Sequence, residues 1–214
     1  MRVIPKKTSK VTEVIKSHVT ENLKAYIIVS IILLIGITLG VMFVNNMSEA
    51  QAQDIQTYLQ SFTGSLKEGK AVNTGELLRK SLGNNLLLVF LMWFVGSTVI
   101  GIPIVLGIVA FRGFCLGYTI STAIKIWGTG KGMLFFATTM LLQNLIAIPC
   151  IIALAVSGIK LYKSIIKDKR RENIKIEIIR HTIFSLVMLA ILAISSIIET
   201  YLSANLLVLC KSYL

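Results

Sequence analysis

The chain has 214 residues, of which 55% are apolar and only 15% charged, and its mean hydropathy is +0.78. A soluble domain of that size has no core large enough to hide so much hydrocarbon, so the composition places the chain in a bilayer. The net charge of +12 would suggest a nucleic-acid partner in a soluble protein. Here the basic residues flank long apolar runs, and anionic lipid and membrane topology account for them without nucleic acid.

A spanning helix needs about 20 mostly apolar residues, because every backbone polar group must be paired within the lipid. In chain order the first such run is 25–44 (AYIIVSIILLIGITLGVMFV), which carries no charge. An AxA-like site at Ala50–Ala52 would fit a cleaved signal, but the long basic lead and the length of the apolar run favour a span. The polar segment 45–85 follows as an external loop. In its first half Ile55, Tyr58, Leu59 and Phe62 fall at helical spacing, which predicts an amphipathic helix resting on the membrane or on the bundle, with a partner as the alternative.

From Leu86 to Trp127 the chain is apolar apart from Arg112 and Lys125. Division at Arg112 predicts spans 86–110 and 113–126. The second of these is short enough to be a re-entrant segment. Gly96, Gly101 and Pro103 predict a kinked, tightly packed second helix. After the turn Gly128-Thr129-Gly130-Lys131-Gly132, spans 133–159 and 181–209 complete five, with a basic loop at 160–180 between them. The turn lacks the spacing of a phosphate-binding loop.

Basic residues test the count. Six precede the first span (Arg2, Lys6, Lys7, Lys10, Lys16, Lys24) and eight lie in the 160–180 segment. Both clusters fall on one side only if 113–126 crosses, and the positive-inside rule makes that side cytoplasmic. The expected fold is therefore all-α: a polytopic integral membrane protein, a five-helix transmembrane bundle forming one domain over 1–214, with a cytoplasmic N-terminus and an extracytoplasmic C-terminus.

Polar residues within apolar runs are the informative ones, because lipid makes them costly unless partnered. Gln143 and Asn144 fall near mid-membrane, and Pro149 after them withholds a donor from the carbonyl of Leu145. Interhelical hydrogen bonding is the favoured role; a polar pathway with Arg112 through a small transporter or lipid-handling protein is the alternative. Glu199 lies deep in the last run, on a stripe with Ser195 and Ser203, and depth arithmetic carries it toward the outer interface. Gly36-x-x-x-Gly40 and Gly113-x-x-x-Gly117 permit close helix approach, in a compact bundle or in an oligomer, so a homodimer is a candidate.

Catalytic chemistry is poorly represented. His18 and His181 sit at expected cytoplasmic helix ends, and HExxH and GxSxG are absent. Cys115, Cys150 and Cys210 are odd in number and widely spaced, which argues against both a disulfide framework and a metal site. No enzyme activity, cofactor or metal is expected.

Several motifs together carry a resemblance: His18-x-x-x-Asn22, WFVGSTVIGIPIVL from Trp93, FRGFCLGYT from Phe111, the GTGKG turn and LLQNLIAIP from Leu141. In order and spacing they resemble the stage II sporulation protein M family over nearly the whole chain. Leu142 departs from the proline expected before Gln-Asn, which implies a less kinked fourth helix. The resemblance implies a five-span, non-enzymatic mother-cell membrane protein of engulfment. It also implies that the protein recruits the peptidoglycan-degrading sporulation proteins D and P to the septum.

Overall fold

The computed structural model describes residues 17–67, 74–98, 101–167 and 171–203. Among these residues the chain is helical and has no strand. Its elements are α1 (Leu23–Asn45), α2 (Glu49–Lys67), α3 (Thr74–Gly96), α4 (Gly101–Phe136), α5 (Leu142–Lys167) and α6 (Arg171–Ile198), with π-helical turns at Ala137–Leu141 and Glu199–Ser203. Among the described residues four helical stretches are long and apolar enough to cross a membrane: Leu23–Asn45, Gly101–Leu141, Gln143–Ile166 and Ile174–Leu202. The expected spans correspond to these only in part. Cys210, the end of the 181–209 run and the basic residues before Ser17 lie outside the described residues.

The expected break at Arg112 is not there. Arg112 lies inside α4, eleven residues after Gly101 and so about 16 Å along the helix. The 86–127 run breaks instead between Gly96 and Gly101. There the Ser97 hydroxyl donates to the Trp93 carbonyl (2.7 Å) and the Thr98 hydroxyl to that of Val95 (2.7 Å), closing the last turn of α3. Gly101 follows so tightly that a methyl group on it would collide with Val95. Pro103 thus falls in the first turn of a new helix, where its missing N–H is not needed, rather than kinking an old one. Accordingly 113–126 is the continuation of α4, and α3 begins well inside the expected loop.

α4 ends its first arm at Gly128, whose φ of 79° only glycine adopts freely. The chain then reverses: Gly132 packs on the backbone of Ala123 and Ile124, and the Phe135 ring lies 4.8 Å from that of Trp127. Lys125, just before the turn, donates its Nζ to the Val44 carbonyl (2.9 Å), placing a cation on the C-terminal end of α1. The expected loop 160–180 is largely helical as well, covered by the end of α5 and the start of α6.

Both GxxxG pairs meet each other. Gly36 seats against the Ala110 carbonyl and Gly40 against Phe114, while Gly113 seats against Leu33 and Gly117 against Ile37. Contact positions rise together along the two chains, so α1 and α4 run parallel with backbones touching. α3 runs opposite to α6, since Ser81 meets Ser196 and Trp93 meets Thr182. α5 also runs opposite to α6, through Gln143 with Ser195 and Ser157 with His181. The core between them holds Val29, Leu33, Val89, Met92, Val105, Val109, Ile151, Leu154 and Leu192. The outward faces of α1, α3 and α6 carry exposed Ile, Leu and Phe side chains, as lipid-facing surfaces do.

The amphipathic helix is present as α2. Ile55 and Leu59 turn toward Tyr118, Thr122 and Phe135 of the bundle across a groove of about 410 Å³, while Tyr58 at its rim is largely exposed.

Candidate functional site

The wide π turn before α5 loosens local carbonyls, and polar side chains take them up. Thr138 donates to Leu134 (2.9 Å), Thr139 to Phe135 (2.6 Å) and Asn144 Nδ2 to Met140 (2.9 Å). The second π turn, at Glu199, packs beside the first. Its Thr200 hydroxyl reaches back to the Ser196 carbonyl at 2.8 Å. Where the two turns adjoin, α3, α5 and α6 enclose a polar core.

Its centre is Ser81. The Ser81 hydroxyl donates to Glu199 Oε2 (2.6 Å), lies 3.0 Å from Ser196 Oγ, and accepts from Gln143 Nε2 at 3.5 Å. Asn85 Nδ2 donates to Ser196 Oγ (2.7 Å), and Ser195 donates to the Gln143 carbonyl (3.3 Å). Arg112, on α4, lies near this core but makes no hydrogen bond or ion pair with Glu199 among the described residues. Gln143 and Asn144 are 8% and 4% exposed. Among the described residues Arg112 Nε and Asn144 Oδ1 are buried without a hydrogen-bond partner.

The structure therefore gathers Arg112, Gln143, Asn144 and Glu199, which the sequence scatters over three runs. Glu199 is half-buried and accepts from Ser81 across to α3. Gly36, Gly40, Gly113 and Gly117 serve the α1–α4 contact, Gly101 and Pro103 the α3–α4 corner, and Pro149 lies within α5. Ser81, Asn85, Ser196 and Thr200 are the members that sequence reading missed. The signal that finds them is the spacing Ser81, Asn85, Val89, Met92, Gly96, one buried face passing from polar to apolar.

A second polar node lies toward the other end of α3. His181 is not at a helix end: it is ten residues into α6 and 2% exposed. Its Nδ1 lies 2.8 Å from Ser157 Oγ, and its Nε2 is turned toward Gly96. Beside it Trp93 Nε1 donates to Thr182 Oγ1 (3.0 Å). A serine and a histidine are thus in contact, one from α5 and one from α6. The pair ties α5 to α6. Outside the spans, His18 stacks on Phe184 at 5.4 Å and meets Tyr26 Oη at 3.3 Å. Burial, and secondarily the Lys160 charge, lower the His18 pKa, with Glu21 acting in the opposite sense.

Among the described residues no three His, Cys, Asp or Glu side chains are grouped, and Cys115 and Cys150 are free thiols. The arrangement offers hydroxyls, amides and one acid that bind one another across helices, with Arg112 beside them and outside that set of bonds. Among curated proteins and among solved structures none matches the chain. The family model described as stage II sporulation protein M matches residues 29–204. That range covers both glycine pairs, the polar core and the histidine node, and the family is one of sporulation membrane proteins rather than a class of enzymes. The chain belongs to the stage II sporulation protein M family.

Proposed function

We propose that this protein is a non-enzymatic membrane scaffold of engulfment during endospore formation. It crosses the septal and engulfing mother-cell membrane five times and anchors the peptidoglycan-degrading sporulation proteins D and P there. The observation that carries the reading is the closure of the polar core. Ser81, Asn85, Gln143, Ser195, Ser196 and Glu199 bond one another, so Gln143, one of the candidate pathway residues, instead helps hold helices together.

The count of five rests on direction. α1 and α4 run parallel and both are long enough to cross, so the chain between them must return through the membrane. α3 is the 23-residue helix available to do so. With the basic residues inside, α1 enters from the cytoplasm and the C-terminus lies outside. α2 then lies on the outer side, facing the cell wall, and the basic flanks face anionic lipid.

The test is a pull-down from sporulating cells. Recovery of the two hydrolases, with engulfment arrested in a deletion strain, supports the reading. Recovery of neither, with normal engulfment, overturns it.

A second reading, a small transporter or lipid-handling protein, draws on one observation: the unpartnered Arg112 Nε and Asn144 Oδ1 inside the bundle. Purified protein in liposomes that moves ions, lipids or amino acids, and stops doing so in Asn144→Leu, would favour it over the scaffold.

A further inference from the structure

Taken as a crossing helix, α3 has one outward stripe whose apolar side chains are interrupted by polar ones. Lys80, Asn84, Leu87, Leu91 and Phe94 follow one another at spacings of three and four, with Gly83 beside them, and all are exposed. Asn84 is the anomaly. It stands one turn beyond Lys80 and twelve residues, about 18 Å, from Gly96, and its side chain makes no hydrogen bond among the described residues. By contrast Thr38, exposed on α1, satisfies its hydroxyl on the Leu34 carbonyl (3.0 Å). An amide facing hydrocarbon without a partner is costly, and in membranes Asn side chains draw helices together for that reason.

The ground beside Asn84 is shaped to receive a helix. With Leu87, Leu88 and Leu91 it forms one wall of a groove of about 510 Å³, whose other wall is Ile104, Gly107, Ile108 and Phe111 of α4. Gly107 has open space where a side chain would stand, so a backbone can approach there. The glycine pairs that ordinarily serve self-association are already occupied, because all four seat on backbone within the same chain.

We infer that this surface is a homodimer interface, in which α3 of a second copy lies along α3 and the groove, with the two Asn84 amides hydrogen-bonded across a two-fold axis parallel to the membrane normal. A second copy fits better than another protein for two reasons. A carboxamide both donates and accepts, so Asn84 is complementary to itself, as an isologous contact requires. The same end of α3 carries Glu76 with Arg79 and Lys80, so a parallel pair brings each copy's acid toward the other's bases, in addition to the interaction Glu76 has in its own chain. The inference rests on α3 crossing the membrane, as proposed above.

The test uses the full chain in liposomes, as two fluorescent populations whose energy transfer is followed as lipid dilutes protein. Transfer is expected, with Asn84→Leu weakening association about 3- to 30-fold and Asn84→Gln retaining most of it. Leu91→Cys is expected to form a disulfide dimer under mild oxidant, while the wild-type chain and Leu34→Cys, on α1, do not. Absence of transfer at every dilution overturns the interface and leaves the groove to lipid or another chain; so does an unchanged Asn84→Leu variant. A membrane-impermeant maleimide separates the two failures. Leu91→Cys that is labelled means α3 does not cross; Leu91→Cys that is protected yet never cross-linked means α3 crosses and the dimer is wrong.

Discussion

Ser81 and Glu199, 118 positions apart, are joined by a hydrogen bond of 2.6 Å from the serine hydroxyl to the carboxyl oxygen. The contact links α3 to the π turn at the end of the last helix. Around it Ser196, Gln143 and Asn85 complete one connected set of bonds.

Ser81→Ala removes the hub of that set and leaves Glu199 and Gln143 short of a partner. The expected cost is about 1–3 kcal/mol, because a partly buried acceptor loses its donor and water cannot replace it. Unfolding of the purified protein in mixed micelles would measure it. Thr38→Ala, which deletes an exposed hydroxyl bonded only to a carbonyl of its own helix, should fall within about 0.5 kcal/mol of wild type. Equal stability of the two variants would show that the network holds nothing.

Arg112 and Glu199 give a sign that can be checked. The two side chains are near each other without an ion pair, so Glu199→Leu should destabilise by freeing the Ser81 hydroxyl, and Arg112→Leu more weakly by withdrawing a nearby opposite charge. Removing both should be less harmful than the sum of the two, with a coupling of about 0.5–3 kcal/mol. Additive effects in a double-mutant cycle would mean that the two groups act independently.

The polar core is half legible in the sequence, and the reason is local. Gln143, Asn144 and Glu199 stand out because their neighbours are apolar. Ser81 and Asn85 do not, because Arg79, Lys80 and Asn84 surround them and a running average reads the stretch as loop. Arg112 misleads in the opposite direction. A lone charge in an apolar run resembles an interface, whereas here the arginine stands inside a continuous helix. The true corner between Gly96 and Gly101 is marked only by Ser97 and Thr98, whose hydroxyls close α3 on its own carbonyls. Pro103 is the available signal, since proline belongs in the first turn of a helix. The glycine pairs are visible as motifs, but only the fold shows that each is the other's partner.

Those glycines separate packing from propensity. Gly113→Ala and Gly117→Ala each drive a methyl group into a backbone carbonyl of α1, which cannot turn aside as a side chain can. A loss of about 1–3 kcal/mol or more is expected for each. Gly107→Ala, in the same helix but facing open space, should leave the stability of the isolated chain unchanged or raise it by up to about 1 kcal/mol. Thermal melts of the three variants in one detergent provide the comparison. A Gly107 variant as damaged as the other two would refute the α1–α4 geometry.

His18 connects pH to the seating of the segment before α1. Its stack on Phe184 and its contact with Tyr26 hold the ring against the bundle, where burial first and the Lys160 charge second favour the neutral form. The folded pKa therefore lies below the ordinary value of about 6.5. The released segment takes up a proton more readily than the docked one, so docking is strongest above that value and weakens as pH falls through it. Proton NMR of the imidazole in micelles should show a titration below that of a free histidine. Lys160→Gln should move it upward by removing a repelling charge, and Glu21→Gln should move it further down by removing an attracting one. Shifts in the reverse senses would mean that His18 is not seated among these groups.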